Sequence, residues 1–397
     1  MPLNPQILTW ARETAGLSVE EAADALGFKD SRDRTAAERL EALEVGAEEP
    51  SRSVLLNMAR TYHRSLLVFY LSEPPPTGDR GQDFRRVPGT TPPEFDPTLD
   101  ALIRDVRGRQ AIVKDLLEQA EHRRVDYVAS VTPDVPPQEL AQRVTKRLDF
   151  SLTEFRKQPT EEAAFGYLRG KVEASGAFVL LLGDLGSHHT SIPSSVFRGY
   201  AVADPIAPFI VVNDKDAHLA WAFTALHELT HLWLGATGVS GEASDTQIEV
   251  YCNTVAGEML LPGQELNEFR WLSQASLHQT VDGVAQIARA RHISRPMVAY
   301  RLLRANVITR VRWRELDRHY KDEWTASQNQ RASKDKNEGG PSYYVVKRHR
   351  LGQALLELVK NSLAEGFLTH TKAGQVLGVK PRNVDPLIYL AGMRGSH

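Results

Sequence analysis

The spacing of apolar positions changes along the chain, and each change marks a different kind of element. Between residues 4 and about 72, apolar residues recur every three or four positions in short bursts, predicting five small helices. Asn4 to Thr14 is the first; Ser18-Val-Glu-Glu21 is a capping box that opens the second, which closes at Gly27. Prolines at Pro74-Pro-Pro76 and between Val87 and Pro97 mark a linker. Helical spacing resumes with Leu102, Val106, Val113, Leu116 and Leu117, and again over Glu162 to Ala174. Three strand-like runs follow: Gly176 to Leu182, Arg198 to Val202 and Pro208 to Asn213. Ala220, Trp221, Ala222, Phe223, Leu226, Leu229, Leu232, Trp233 and Leu234 then describe a helix apolar almost all round, as for one packed inside a domain. A second helix, Asp245 to Leu261, has the stripe Ile248, Cys252, Val255 and Met259 and stops at Pro262.

Past that proline, Val284 to Ile308 reads as a helix-turn-helix with Ser294 as an N-cap. Thr325 to Ser342, polar and containing Asn337-Glu-Gly-Gly-Pro341, reads as a flexible linker. Tyr343-Tyr-Val-Val-Lys347 is strand-like, Leu351 to Leu363 is an amphipathic helix, and Leu368 to Arg382 resembles a degenerate helix-turn-helix. The pattern predicts an α+β, mostly helical chain with a small mixed sheet. Its expected divisions are a helical bundle over 1–72, a linker over 73–97, a mixed core over 98–270, a helical region over 271–324, a linker over 325–342 and a small C-terminal helical domain over 343–397. No repeat of fixed period is visible.

At 397 residues, 42% hydrophobic and 25% charged, this is an ordinary globular composition with room for two or three domains. A formal net charge of −2 gives no global reason to expect nucleic acid, so any such role needs a local patch. One cysteine rules out a disulfide framework. Met1-Pro-Leu-Asn-Pro-Gln6 has neither a basic nor an apolar leader region, and no run approaches the length of a membrane span. The expectation is a cytoplasmic protein.

The polar exceptions in the apolar helix carry the chemistry. Phe223-Thr-Ala-Leu-His-Glu-Leu-Thr-His-Leu-Trp233 holds His227 and His231 four positions apart, so both imidazoles lie on one face and can grip one metal ion. Glu228 sits about 100° round from them, beside the open coordination position, where a carboxylate can take a proton from water held there. A catalytic zinc site usually keeps three protein ligands. Glu249 borders the stripe of the next helix, with Asn253 one turn on and on the same side. Asp245 on the same face competes with it, and Glu242 in the preceding Gly-rich loop competes more weakly. Glu258 and Tyr251 are about 180° and 200° away from Glu249, so neither should face the metal if Glu249 does.

Phe223-Thr-x-x-His-Glu-x-x-His followed by Glu249-x-x-Cys-Asn253-x-x-Ala-x-Glu-Met-Leu-Leu-Pro262 resembles the ImmA/IrrE family of metallo-endopeptidases. The resemblance implies a zincin-like peptidase core, Zn2+ held by His227, His231 and Glu249, and Glu228 as general base. Cys252 stands where that family usually has Ala; it lies on the apolar stripe and reads as core. Arg198, Tyr200 and His218 are candidates for stabilising the oxyanion that peptide hydrolysis generates, and His188 and His189 for metal or substrate binding.

Ile7 to Ala23, with Leu40-Glu-Ala-Leu-Glu-Val-Gly46, resembles the phage-repressor (Xre) type of helix-turn-helix, which that family commonly carries ahead of the peptidase. The expected recognition helix, Thr35 to Val45, has Glu38, Glu41 and Glu44 against Arg39 alone, which phosphate would repel. Lys29, Arg32 and Arg34 in the loop before it, with Arg39, are the DNA-contact candidates. Arg289, Arg291, Arg295, Arg301, Arg304, Arg310, Arg312 and Arg314 give the region after Pro262 a basic face for phosphate or an acidic partner. The resemblance implies an endopeptidase that cleaves a transcriptional repressor or partner protein in stress, prophage or toxin-antitoxin regulation. The alternative is a DNA-binding regulator or antitoxin using the zincin fold as a non-catalytic platform; a third reading has the C-terminal region gating the peptidase. Expected partners are a protein substrate, double-stranded DNA and a second copy of the chain, with no membrane.

Overall fold

The computed structural model describes residues 3–75, 82–83, 96–187, 190–240, 247–334 and 342–389, with the backbone alone for 82–83 and 324–334. It divides into two compact units, Met1–Arg80 with Glu94–Arg104, and Gly81–Pro93 with Asp105–His397. Among the described residues no helix is long and apolar enough to cross a membrane.

The first unit contains α1 (Pro5–Glu13), α2 (Val19–Ala25), α3 (Ala36–Glu44), α4 (Arg52–Thr61) and a 3₁₀ turn at Leu66–Tyr70. Side-chain caps set the starts: Asn4 caps α1, and Ser18 with Glu21 and Thr35 with Glu38 form capping boxes on α2 and α3. Ile7, Leu8, Ala22, Leu40, Leu55, Met58 and Phe69 form its core. Glu44 is buried against Arg12, whose Nε and Nη2 meet its two oxygens at 2.8 and 3.0 Å. The acidic residues of α3 are thus partly structural, since Glu38 closes a cap and Glu44 an ion pair.

The second unit is built on a five-stranded sheet in the order β1-β5-β3-β4-β2. The strands are β1 (Gln82–Asp83), β2 (Phe178–Leu181), β3 (Gly199–Val202), β4 (Phe209–Val212) and β5 (Gly238–Ser240). β3 runs antiparallel to both β4 and β5, while β2 pairs with β4, and β1 with β5, in parallel. The three predicted strands are present; the short flanking pair was not foreseen. Helices in order are α5 (Pro97–Gln119), α6 (Pro137–Leu148), α7 (Leu152–Arg156), α8 (Glu161–Ala174), α9 (His218–Leu234), α10 (Gln247–Leu260), α11 (Leu277–Arg291), α12 (Arg295–Arg304), α13 (Arg310–Lys334), α14 (Tyr343–Leu351), α15 (Gln353–Ala364), α16 (His370–Leu377) and α17 (Val384–Tyr389).

Strand alternation gives the sheet two buried faces. Val179, Leu181, Ala201, Ile210 and Val212 share one core with α8, α9 and α10, and that core continues through Val284, Met297, Leu302 and Leu316 of the helices after Pro262. On the other face Tyr200 accepts a 2.7 Å hydrogen bond from Arg107 of α5, and Lys114 reaches Asp204 at 2.8 Å. α9 ends where Gly235 adopts φ +70; a Cβ there would lie 2.6 Å from that of Ala129, so only glycine fits both the turn and the packing.

Two expectations are corrected. Tyr343 to Lys347 is helical, not strand: the β-branched pair Val345-Val346 is solvent-exposed, and the segment packs on β2 as a helix ending at the buried Leu351, so tertiary contacts override local β preference. The polar stretch from Thr325 is not linker at its start, because α13 runs unbroken to Lys334. Its first glycine is Gly339, so nothing before that breaks helix propagation. Most of the expected 73–97 linker, and 335–341, lie outside the described residues.

Candidate metal centre

The site is made by two adjacent helices and two strands. α9 places His227 and His231 on one face, and α10 packs beside it with Glu249 in its first turn. All are buried: His231 and Glu228 have no exposed surface and Glu249 has 2%. His227 Nε2 and His231 Nε2 are 3.1 Å apart; one Glu249 oxygen lies 3.1 Å from the first and the other 2.9 Å from the second. Among the described residues this is the group of His, Cys, Asp and Glu side chains that comes together in the manner of metal ligands.

The donor set fits a divalent cation. The Nδ1 of His227 faces Asn253 Oδ1 at 2.9 Å, so that nitrogen carries the proton and Nε2 presents its lone pair inward. A second imidazole nitrogen and a carboxylate meet it there, all three side chains buried. Two neutral imidazoles and one carboxylate are a common catalytic zinc set. The charges respond to each other: burial pushes the Glu249 carboxyl up, but the facing histidines outweigh it and bring it down to about 2. Burial lowers His231; for His227 burial is again the largest single effect, but Glu249, Glu228 and Asn253 together outweigh it and the net shift is upward.

Glu228 occupies a cradle that a side chain would fill. A Cβ on Gly199 of β3 would lie 2.2 Å from Glu228 Oε1, so the carboxylate rests directly on strand backbone. Burial raises its pKa to about 8, only partly offset by His227 and the Ser240 hydroxyl. Ser240 of β5 also stands 3.4 Å from His231 Nε2. Gly199 and Ser240 were missed by sequence reasoning. A glycine in a strand is a known sign of close backbone approach, so Gly199 could have been found; nothing in the pattern singled out Ser240.

The other candidates lie elsewhere. Tyr251 donates to Val135 O at 2.8 Å, and Glu258 pairs with Arg301 and Gly263 N, both away from the triad as their helical angles required. Cys252 is buried core and outside the ligand group. His218 is nine positions before His227, about 13 Å along α9, where it contacts Glu162. Tyr200, next to Gly199 in an alternating strand, faces away from α9 and is held by Arg107; Arg198 lies 3.7 Å from Asp216. His188, His189, Glu242 and Asp245 lie outside the described residues.

Of the DNA-contact candidates, Arg34 is paired with Glu48, and Arg39 lies over the Phe28 ring and donates to Lys29 O. Lys29 and Arg32 are exposed. Four of the eight arginines expected to form a basic face after Pro262 are ion-paired: Arg291 meets Glu265, Arg295 meets Glu323, Arg301 meets Glu258 and Arg312 meets Glu315.

Residues 184–303 match the family model described as the IrrE N-terminal-like domain, peptidase M78. The match contains α9 and α10 whole, so the candidate metal centre lies inside the region similar to that peptidase family. It spans 120 of 397 residues (184 to 303 inclusive), which leaves the regions on either side to be argued from their own residues. No curated protein and no solved structure matches the chain.

Proposed function

We propose that this chain is a zinc-dependent endopeptidase that cleaves a protein partner, a transcriptional repressor or the other member of a toxin-antitoxin pair, with its N-terminal unit contacting DNA through Lys29 and Arg32. The observation that carries the reading is the convergence of His227, His231 and Glu249 donor atoms at 2.9 to 3.1 Å, with Glu228 adjacent in the same helix. Zinc, when bound, supplies Lewis-acid polarisation of a carbonyl and activation of water.

The chain's own residues do the rest. Asn253 fixes the His227 tautomer and ring angle, and Glu249 keeps an oxygen on each imidazole. Glu228 takes a proton from the attacking water at a carboxylate oxygen and passes it to the leaving amine nitrogen, a role worth roughly 10²–10⁴ in rate. A cation held by the neighbouring imidazoles would favour the ionised carboxylate, the form that can accept a proton.

Glu228→Gln keeps the shape and removes the base. It should retain metal and lose cleavage of the partner encoded beside this gene by roughly 10²–10⁴; undiminished cleavage refutes the reading. The complete burial of Glu228 and His231 favours a second reading, a regulator or antitoxin using the fold as a platform. That reading requires promoter binding indifferent to Glu228→Gln and to chelator.

A further inference from the structure

The C-terminal helices carry a charge cluster that proteolysis does not use. Asp105 and Arg109 are one turn apart on α5, as are Tyr343 and Lys347 on α14; Asp105, Arg109 and Tyr343 lie by the turn that follows α16. Between them is an open cavity of about 780 Å³, with Asp105, Tyr343, Gly378, Lys380, Arg382 and Asn383 in its lining. Gly378 is left-handed (φ +61), and a Cβ there would stand 2.4 Å from Arg109 Nη2, so the missing side chain lets the guanidinium reach the turn. Arg109 is only 7% exposed. Its Nη2 meets Asp105 at 2.6 Å, while Nε and Nη1 have no hydrogen-bond partner among the described residues.

Those two nitrogens are closed off from the cavity, so the guanidinium acts from behind the turn as a fixed positive charge that Asp105 only partly answers. The surroundings are also short of negative charge. Asp105 is the one carboxylate in the described lining, against Lys380 and Arg382, with Arg109 behind Gly378. The nearby Arg350 already holds Asp184 and Asp214. Burial, with Arg109 and Arg350 adding to it, pushes the Lys347 ammonium down to about 8. Tyr343 presents a ring 55% exposed, set edge-on to Tyr344 at 5.3 Å.

We propose that this cavity binds a phosphate-bearing small molecule of nucleotide size, with its phosphates on Lys380 and Arg382, the Arg109 guanidinium adding positive charge from behind Gly378, and its base stacked on Tyr343. The volume falls within the range of small-molecule sites, roughly 300–1,000 Å³, and aromatic faces stack bases without sequence preference. Duplex DNA fits less well: a helix-turn-helix must enter a groove, whereas Lys380 and Arg382 face a concavity whose far wall carries the Asp105 carboxylate.

Isothermal titration of the full metal-loaded chain with ADP, with inorganic pyrophosphate and with a DNA duplex, at fixed ionic strength, tests this. ADP and pyrophosphate should each bind once per chain. Lys380→Ala with Arg382→Ala, both exposed positions, should weaken both by roughly tenfold or more. Arg109→Met removes the positive charge behind the turn; checked for folding by circular dichroism, it should weaken both as well. Tyr343→Ala should weaken ADP alone. The proposal is overturned if neither probe binds at millimolar concentration, if the double variant binds as the native chain does, or if the duplex binds and ADP does not compete. Equal affinity of Tyr343→Ala and the native chain for ADP overturns the nucleotide assignment.

Discussion

Two buried charge clusters in the second unit, built from the same kinds of side chain, have opposite characters. At the junction of α8, β2 and α14, Arg169 meets Glu173 at 3.1 Å and donates to the carbonyls of Val179, His349 and Arg350. The second Glu173 oxygen accepts from Gln353 N and Ala354 N at 3.1 Å each, and Arg350 and Lys215 close on Asp184. Every charge there is answered from within the chain, so the cluster is a clamp holding the C-terminal helices on the sheet edge. At the candidate metal centre the donor atoms of His227, His231 and Glu249 converge on one another in the manner of metal ligands, and Glu228 lies beside them. A cluster closed on backbone groups and ion pairs stabilises the fold; one whose ligand atoms converge is a place for an ion.

The largest effect should come from breaking the clamp. Arg169→Met leaves Glu173 buried without its ion pair and should cost about 3–5 kcal/mol, read as a lower urea midpoint. Only a negligible shift would show the cluster to be open as well. The metal centre should respond to added ion instead. Zinc at a hundredfold excess over its Kd should stabilise the native chain by about 2.7 kcal/mol, and Glu249→Gln should abolish that increment in thermal melts. Asn253→Ala should be milder, lowering metal affinity by roughly 10–100-fold in competition with a chromogenic chelator while leaving the fold intact.

The smallest effect is acid sensitivity of the clamp. Burial raises the Asp184 carboxyl, but Lys215 and Arg350 outweigh it and hold it below its ordinary 3.8. A carboxyl depressed on folding contributes stability that is fully present above its unfolded value and lost as pH falls through the folded one. Stability should therefore decline below about pH 4, and Asp184→Asn should flatten that limb in a pH series of urea melts.

The candidate ligand set was legible because it depends on local geometry. The spacing of His227 and His231, the pairing of Glu249 with Asn253 on one helix face, and the turning away of Glu258 and Tyr251 all follow from 100° per residue. The central strands were legible because apolar runs bounded by turn residues have few other uses. The strand expected at Tyr343 failed because Val345 and Val346 are exposed, and burial rather than β-branching decides such a segment. The C-terminal region, which one reading made a gate on the peptidase, is bound to the core through Arg169, Glu173 and Arg350. Its removal would strand those charges.

The sequence by itself determined which residues could ligate a metal and which helices carry them, since both are set by periodicity within single elements. Only the tertiary structure decided that Glu249 lies within 3.1 Å of both imidazoles, that Gly199 makes room for Glu228, and that Arg109 keeps two N–H groups without acceptors. Those facts depend on side chains from segments far apart in the chain, brought together by the packing of α5, α9, α10, the C-terminal helices and the sheet, and no local period encodes them.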